Sequence, residues 1–225
     1  MKRILVVVAH SDDEALGCGG TLAAQADRGA EIAVMFLTNG VGARRVAQND
    51  PRVTQRAEAS RAACKVMGVK TIFQRDFPDN QLDSVPLLDV VQSVEEVVAE
   101  FKPDIILTHF DNDLNVDHRV CHQAVLTACR PQPGHSVRTI LSFEVPSSTE
   151  WAFSAPAFSP NVYVDISAHT KHKQQALEAY SGEMHAAPHV RSIKSIEALA
   201  RWRGATVGVE AAEGFCLIRQ ISKEI

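Results

Sequence analysis

An apolar, β-branched run that breaks off into charge constrains this chain most. Val6-Val7-Val8-Ala9 leads straight into His10-Ser11-Asp12-Asp13-Glu14, and the small-residue stretch Ala15-Leu16-Gly17-Cys18-Gly19-Gly20-Thr21 follows. A continuous apolar run marks a strand buried on both faces. Such a strand delivers its terminal side chains to the carboxyl edge of a sheet, where open α/β folds place their ligands. One Asp would suffice to cap a following helix. Three consecutive carboxylates beside an imidazole exceed that need, because crowded like charges are retained for a cation or a proton. The stretch therefore reads as a metal site with a carboxylate base beside it.

Strand-like and helix-like segments alternate along the rest of the chain, as a mostly parallel sheet requires. Strands are expected at 3–9, 31–38, 69–73, 104–108, 139–145, 162–166 and 215–219. Helices are expected at 21–28, 51–67, 86–101, one with His118 in its first turn, at 168–180 and at 192–203. The segment 86–101 is the clearest helix: Val90, Val91, Val94, Val97, Val98 and Phe101 follow the 3.6-residue period, and Pro103 ends it. Loops are expected at 40–49, with Arg44 and Arg45, at 76–80, and at 147–160, where an aromatic such as Trp151 could stack on a substrate ring or cover the core. No repeat or linker interrupts the order. The expected fold is one domain over 1–225, a Rossmann-like three-layer α/β/α sandwich.

The strand at 104–108 ends in a second polar constellation, His109-Phe110-Asp111-Asn112-Asp113-Leu114-Asn115-Val116-Asp117-His118. Two such strand ends in one parallel sheet would face one crevice. Three N/O ligands plus water describe a catalytic zinc site with one open position. His10 and Asp13 could reach one ion across the strand-to-helix turn, with His118 completing the set and Asp12 near the water.

Composition excludes several classes. The 225 residues are 45% hydrophobic and 22% charged, with a net charge of −4 and no basic run suited to nucleic acid. No stretch approaches the roughly 20 apolar residues of a membrane span, and the apolar run after Met1-Lys2-Arg3 is too short for a signal peptide. A cytoplasmic location is expected. Cys18, Cys64, Cys121, Cys129 and Cys216 form no Cys-x-x-Cys pair, which argues against a disulfide framework or a thiolate zinc site.

These residues carry a family resemblance. His10-Ser11-Asp12-Asp13-Glu14 resembles the Ala-His-Pro-Asp-Asp-Glu motif of the PIG-L/LmbE-like zinc deacetylases, and Asn115-Val116-Asp117-His118 resembles their His-Pro-Asp-His motif. Arg56 with Glu58, Pro103-Asp104-Ile105-Ile106, Arg191-Ser192, Arg203-Gly204 and Glu213-Gly214-Phe215 are similar to further parts of the family pattern. The resemblance implies zinc held by His10, Asp13 and His118, with Asp12 as general base. It implies removal of an N-acetyl group from an amino sugar; the substrate expected here is an N-acetylglucosamine-like unit on a glycan or nucleotide in glycan biosynthesis. Asp117 and His189 complete the expected catalytic groups; Arg56, His109, Asn115 and Arg191 are the expected substrate contacts.

Two positions depart from the pattern. Ser11 replaces a proline and removes no ligand. Asn115 stands where the family has a histidine thought to move a proton or stabilise the transition state, and Asn cannot titrate. His185 or His189, from this chain or a neighbouring subunit of a homo-oligomer, is the expected substitute. An alternative reading is a zinc amidohydrolase acting on a non-sugar amide of secondary metabolism. A nucleotide-binding protein fits poorly, since Gly17, Gly19 and Gly20 do not form Gly-x-Gly-x-x-Gly. A magnesium-dependent phosphoryl acceptor at Asp12 fits poorly too, since His10 suits zinc better.

Overall fold

Alternate residues of the first strand point into two separate cores, and this makes the molecule three layers thick. In the computed structural model, which describes residues 1–41, 51–153 and 156–222, strand β1 (Arg3–Val8) sits inside a seven-stranded sheet. Ile4, Val6 and Val8 pack on one face, and Leu5 and Val7, followed by Ala9, on the other. The remaining strands are β2 (Glu31–Thr38), β3 (Thr71–Phe77), β4 (Ile105–His109), β5 (Thr139–Phe143), β6 (Val162–Asp165) and β7 (Ala212–Gln220). The helices are α1 (Asp13–Asp27), α2 (Pro51–Val66), α3 (Leu87–Phe101), α4 (Val116–Ala128), α5 (Thr170–Ala179) and α6 (Ile193–Ala205). One core joins the sheet to α1, α2, α5 and α6, the other to α3 and α4.

The strand order is β3-β2-β1-β4-β5-β7-β6, with β1 parallel to both β2 and β4 and β7 antiparallel to β5 and β6. The chain first winds outward from β1 through β2 to β3, then crosses to the other side of β1 for β4. The crevice between the carboxyl ends of β1 and β4 is the switch point where such sheets bind ligands. Both polar constellations leave the sheet there.

Three boundaries differ from the sequence expectation by three residues or more. Helix α1 starts at Asp13 rather than at residue 21, and two of its glycines, Gly17 and Gly20, are packed too closely for a side chain. A Cβ on Gly17 would lie 2.1 Å from the Phe143 ring, and one on Gly20 would lie 2.8 Å from Ile166. Strand β3 runs on to Phe77, so Asp76 and Phe77 belong to the strand, and β7 starts three residues early, at Ala212. The expected loop at 40–49 falls, from residue 42 onward, outside the described residues, as do 154 and 155 of the loop at 147–160. Among the described residues no helix is long and apolar enough to cross a membrane.

Gly17→Ala is expected to destabilise the fold by about 1–3 kcal/mol through overpacking. The helix-propensity gain of about 1 kcal/mol offsets only part of that. Urea denaturation checks this, and an unchanged or raised midpoint would contradict it.

Candidate active site

The turn between β1 and α1 is strained. Asp12 has φ 125° and ψ −25°, a conformation that costs a non-glycine residue about 1–3 kcal/mol. Hydrogen bonds hold it there: its N–H donates to Glu14 Oε2 (3.0 Å) and its carbonyl accepts from Leu16 N–H (2.9 Å). Glu14 is fully buried and also accepts from the Tyr180 hydroxyl (2.6 Å). Burial, opposed by that hydrogen bond, pushes the Glu14 carboxyl up to about 7. Glu14 therefore braces the turn, while its two acidic neighbours face the crevice.

At the bottom of the crevice three ligand atoms meet. His10 Nδ1 lies 3.3 Å from Asp13 Oδ2 and 3.3 Å from His118 Nε2, and the last two are 3.4 Å apart. Tetrahedral ligands at about 2.0–2.1 Å from an ion stand about 3.3–3.4 Å from one another. All three side chains are at most 9% exposed, and Asp13 Oδ1 is a buried oxygen with no hydrogen-bond partner among the described residues. The donor set and its spacing fit a zinc ion.

The far nitrogen of each imidazole is spoken for by a carboxylate. His10 Nε2 faces Asp117 Oδ2 (3.1 Å) and Asp79 Oδ1 (3.2 Å). Asp117 is itself fixed by the N–H groups of Asn80 (2.7 Å) and Leu82 (2.9 Å). His118 Nδ1 faces Asp113 Oδ1 (3.1 Å), and Asp113 accepts from the Ser148 and Thr149 hydroxyls. These partners assign the protons to His10 Nε2 and His118 Nδ1 and leave Nδ1 and Nε2, respectively, for a metal. A second triad, His10, Asp79 and Asp117, also has metal-ligand spacing. It would require the nitrogen that those carboxylates keep protonated, so the first triad is the better candidate.

Electrostatics agree. Burial disfavours charge on His118, yet Asp13 and Asp113 outweigh it and raise the imidazole to about 9. Burial likewise opposes charge on His10, and Asp117, Asp13 and Asp79 hold it well above the usual histidine value. Desolvation works against the Asp13 carboxylate, but His118, His109 and His10 keep it well below the usual range. The pocket is thus built to hold positive charge at its centre.

Asp12 lies beside this set in a cavity of about 580 Å³ that is also lined by His10, Arg56, Asp79, Asn115 and Arg191. Its Oδ2 accepts from Arg191 Nη1 (2.9 Å) and lies 3.3 Å from Arg56 Nη2. Burial raises the Asp12 carboxyl above its ordinary value, with both arginines opposing the shift. Ser11, the departure from proline, accepts a hydrogen bond from Arg56 Nε (3.0 Å). Asn115 caps α4: its Oδ1 accepts from Asp117 N–H (2.8 Å), and its Nδ2 donates to Asn80 Oδ1 (3.0 Å).

Several expected site residues sit elsewhere than anticipated. His109 is fully buried, and its Nε2 accepts the Ala9 N–H (2.9 Å) while its ring stacks on His118 at 3.9 Å, so it cannot touch a substrate. Asp117, expected among the catalytic groups, is fully buried behind His10 and orients that ring. His189 does not line the cavity; its Nδ1 accepts from Arg191 N–H (3.0 Å), and its ring meets those of His185 and Trp151. Arg56 and Arg191 line the cavity, but both engage Asp12. Asp113 belongs to the second polar constellation read from the sequence, whereas Asp79, in the expected loop at 76–80, carries no sequence signal that marks it for the site.

The family model described as PIG-L, GlcNAc-PI de-N-acetylase, matches residues 5–129, more than half of the chain and both motifs. The chain belongs to the PIG-L family. The uncharacterised deacetylase YaiS of Escherichia coli is 31% identical over 73% of this chain and 82% of its own length. A protein of Bacillus cereus named as a probable N-acetyl-alpha-D-glucosaminyl L-malate deacetylase 2 is 27% identical over 82% of this PIG-L chain and 85% of its own. Among solved structures, GalB of Pseudomonas putida, a 4-carboxy-2-hydroxymuconate hydratase, superposes with a TM-score of 0.80 at 21% identity over 100% of this chain and 99% of its own. That likeness concerns the fold alone, and the hydratase makes clear that the fold does not choose the reaction.

Proposed function

We propose that this PIG-L family member is a zinc-dependent N-deacetylase, acting as one domain, that hydrolyses the acetamido group of an N-acetylglucosamine-like sugar carried on a glycan or nucleotide. The observation that carries the reading is the set of three ligand atoms spaced 3.3–3.4 Å apart beside a buried carboxylate that lines the same cavity. His10, Asp13 and His118 hold the ion, and an N/O set containing two imidazoles suits zinc better than magnesium. Held there, a zinc ion would supply Lewis acidity toward the amide carbonyl and would lower the pKa of water from 15.7 to about 7.

The chain's own groups do the rest. Asp12 Oδ1 takes the proton of the attacking water and returns it to the leaving nitrogen as the C–N bond breaks, giving acetate and a free amine. Arg56 and Arg191 hold Asp12 through Oδ2 and keep that carboxylate aimed into the cavity. Asn115 keeps one Nδ2 hydrogen beyond its bond to Asn80, and we assign it to the developing oxyanion. A neutral donor thereby stands where the family has a histidine, and Asp12 serves as both base and acid.

Acetate release from a panel of N-acetylated amino sugars, free and glycan- or nucleotide-linked, tests the reading. The expected result is release that stops when a chelator removes the metal. Turnover of simple non-sugar amides, with no acetate from any sugar, would favour the amidohydrolase alternative instead.

A further inference from the structure

The tail motif Glu213-Gly214-Phe215 is remote in sequence from the metal set, yet its acid reaches the helix that carries Asp13. Helix α1 is broken at Cys18, whose φ of −144° and ψ of 17° are not helical. The break separates a single turn bearing Asp13 and Glu14 from the longer segment beginning at Gly19. Such a break strips helical partners from N–H groups after it and carbonyls before it. Here the N–H groups of Gly20 and Thr21 donate to Glu213 Oε1 (3.0 Å) and Oε2 (2.7 Å). The Leu16 carbonyl accepts from Lys173 Nζ (2.8 Å), and Lys173 also pairs with Glu213 Oε1 (2.5 Å). Lys173 and Glu213 are 6% and 5% exposed.

A buried ion pair is weak evidence for stability, since an unbroken helix among apolar residues would serve as well. This pair instead satisfies the backbone groups that the bend releases. One turn separates the bend from Asp13, so a change in the angle of the bend would shift the end of the helix that carries this carboxylate, whose Oδ2 also accepts from the His10 N–H (2.9 Å).

We infer that Lys173 and Glu213 are positioning residues: they fix the bend in α1 and thereby hold Asp12 and Asp13 in place for the metal. The inference rests on the proposed zinc set. Its test is the zinc affinity of the full chain, read by competition with a chromogenic chelator, alongside the thermal unfolding of the metal-free protein. Glu213→Gln and Lys173→Met are expected to weaken zinc binding about tenfold, the effect of disturbing an outer partner of a ligand. Glu144→Gln is the control. Glu144 accepts two hydrogen bonds from Arg203 (both 2.8 Å) in the same region, with no hydrogen bond to α1 among the described residues. It should lower the unfolding temperature without changing zinc affinity.

Unchanged affinity in Glu213→Gln, or equal weakening in Glu144→Gln, would overturn the inference while leaving the zinc reading intact. A wild-type chain that binds no zinc would instead overturn the zinc reading. If Glu213→Gln does not fold, Lys173→Met, which leaves the Glu213 caps in place, is read by the same criteria. Failure of both to fold would also overturn the inference, because the pair would then serve the fold rather than the site. Lys173→Arg, which keeps the charge, should recover most of the lost affinity.

Discussion

Asp12→Asn is expected to keep its zinc and lose about 10²–10⁴-fold in turnover number, the contribution of a positioned general base. The substitution suits this position. Asn tolerates a positive φ better than most residues, so the strained turn at φ 125° should survive. Its side-chain oxygen can still accept from Arg191, while the proton acceptor is gone. No metal-ligand atom moves, since Asp13, His10 and His118 hold one another independently of Asp12. Zinc content by atomic absorption and acetate release from the same preparation give the answer. Loss of zinc, or turnover near that of the wild type, would overturn the assignment of Asp12 as base.

His118→Ala should have the opposite signature, with zinc binding lost and activity falling because the site stays empty. The residue is 1% exposed and carries one of the three atoms proposed to hold the metal. Its removal also leaves Asp13 without one cationic neighbour and Asp113 without the imidazole it orients. Disturbing an outer partner of a ligand costs about 10–100-fold in metal affinity, so Asp113→Asn should fall in that range and His118→Ala well beyond it. Chelator competition on both variants orders them. Equal affinities for His118→Ala and the wild type would show that the metal binds elsewhere.

Much of this was legible in the residues themselves. The run 6–9 is apolar at every position because β1 is buried on both faces, and the 3.6-residue period of α3 is unmistakable because only one of its faces meets the core. The segment after the first motif hid its structure. Gly17, Gly19 and Gly20 look like loop, yet all three lie in α1, where Phe143 leaves no room for a Cβ at Gly17 and Ile166 none at Gly20. That is a tertiary constraint, invisible to propensity. That His10, Asp13 and His118 come together followed from the motifs and their shared sheet edge, whereas the carboxylates behind the two imidazoles did not. Asp113 and Asp79 come from turns whose geometry no local pattern encodes, and His109 carries the residue type of a site while serving as a buried acceptor for Ala9. The search for a histidine to replace the one absent at Asn115 pointed to His189, but its ring is turned to Trp151 and to the Arg191 main chain. Asn115 itself stands on the cavity wall, which is why the role is proposed for it.

One metal ion is expected among His10 Nδ1, Asp13 Oδ2 and His118 Nε2. Anomalous diffraction at the zinc absorption edge, on crystals of the zinc-loaded protein, locates it. The expected result is a single strong peak about 2.0–2.2 Å from each of those three atoms. A peak between His10 Nε2, Asp79 and Asp117, or none in the crevice at all, would contradict it.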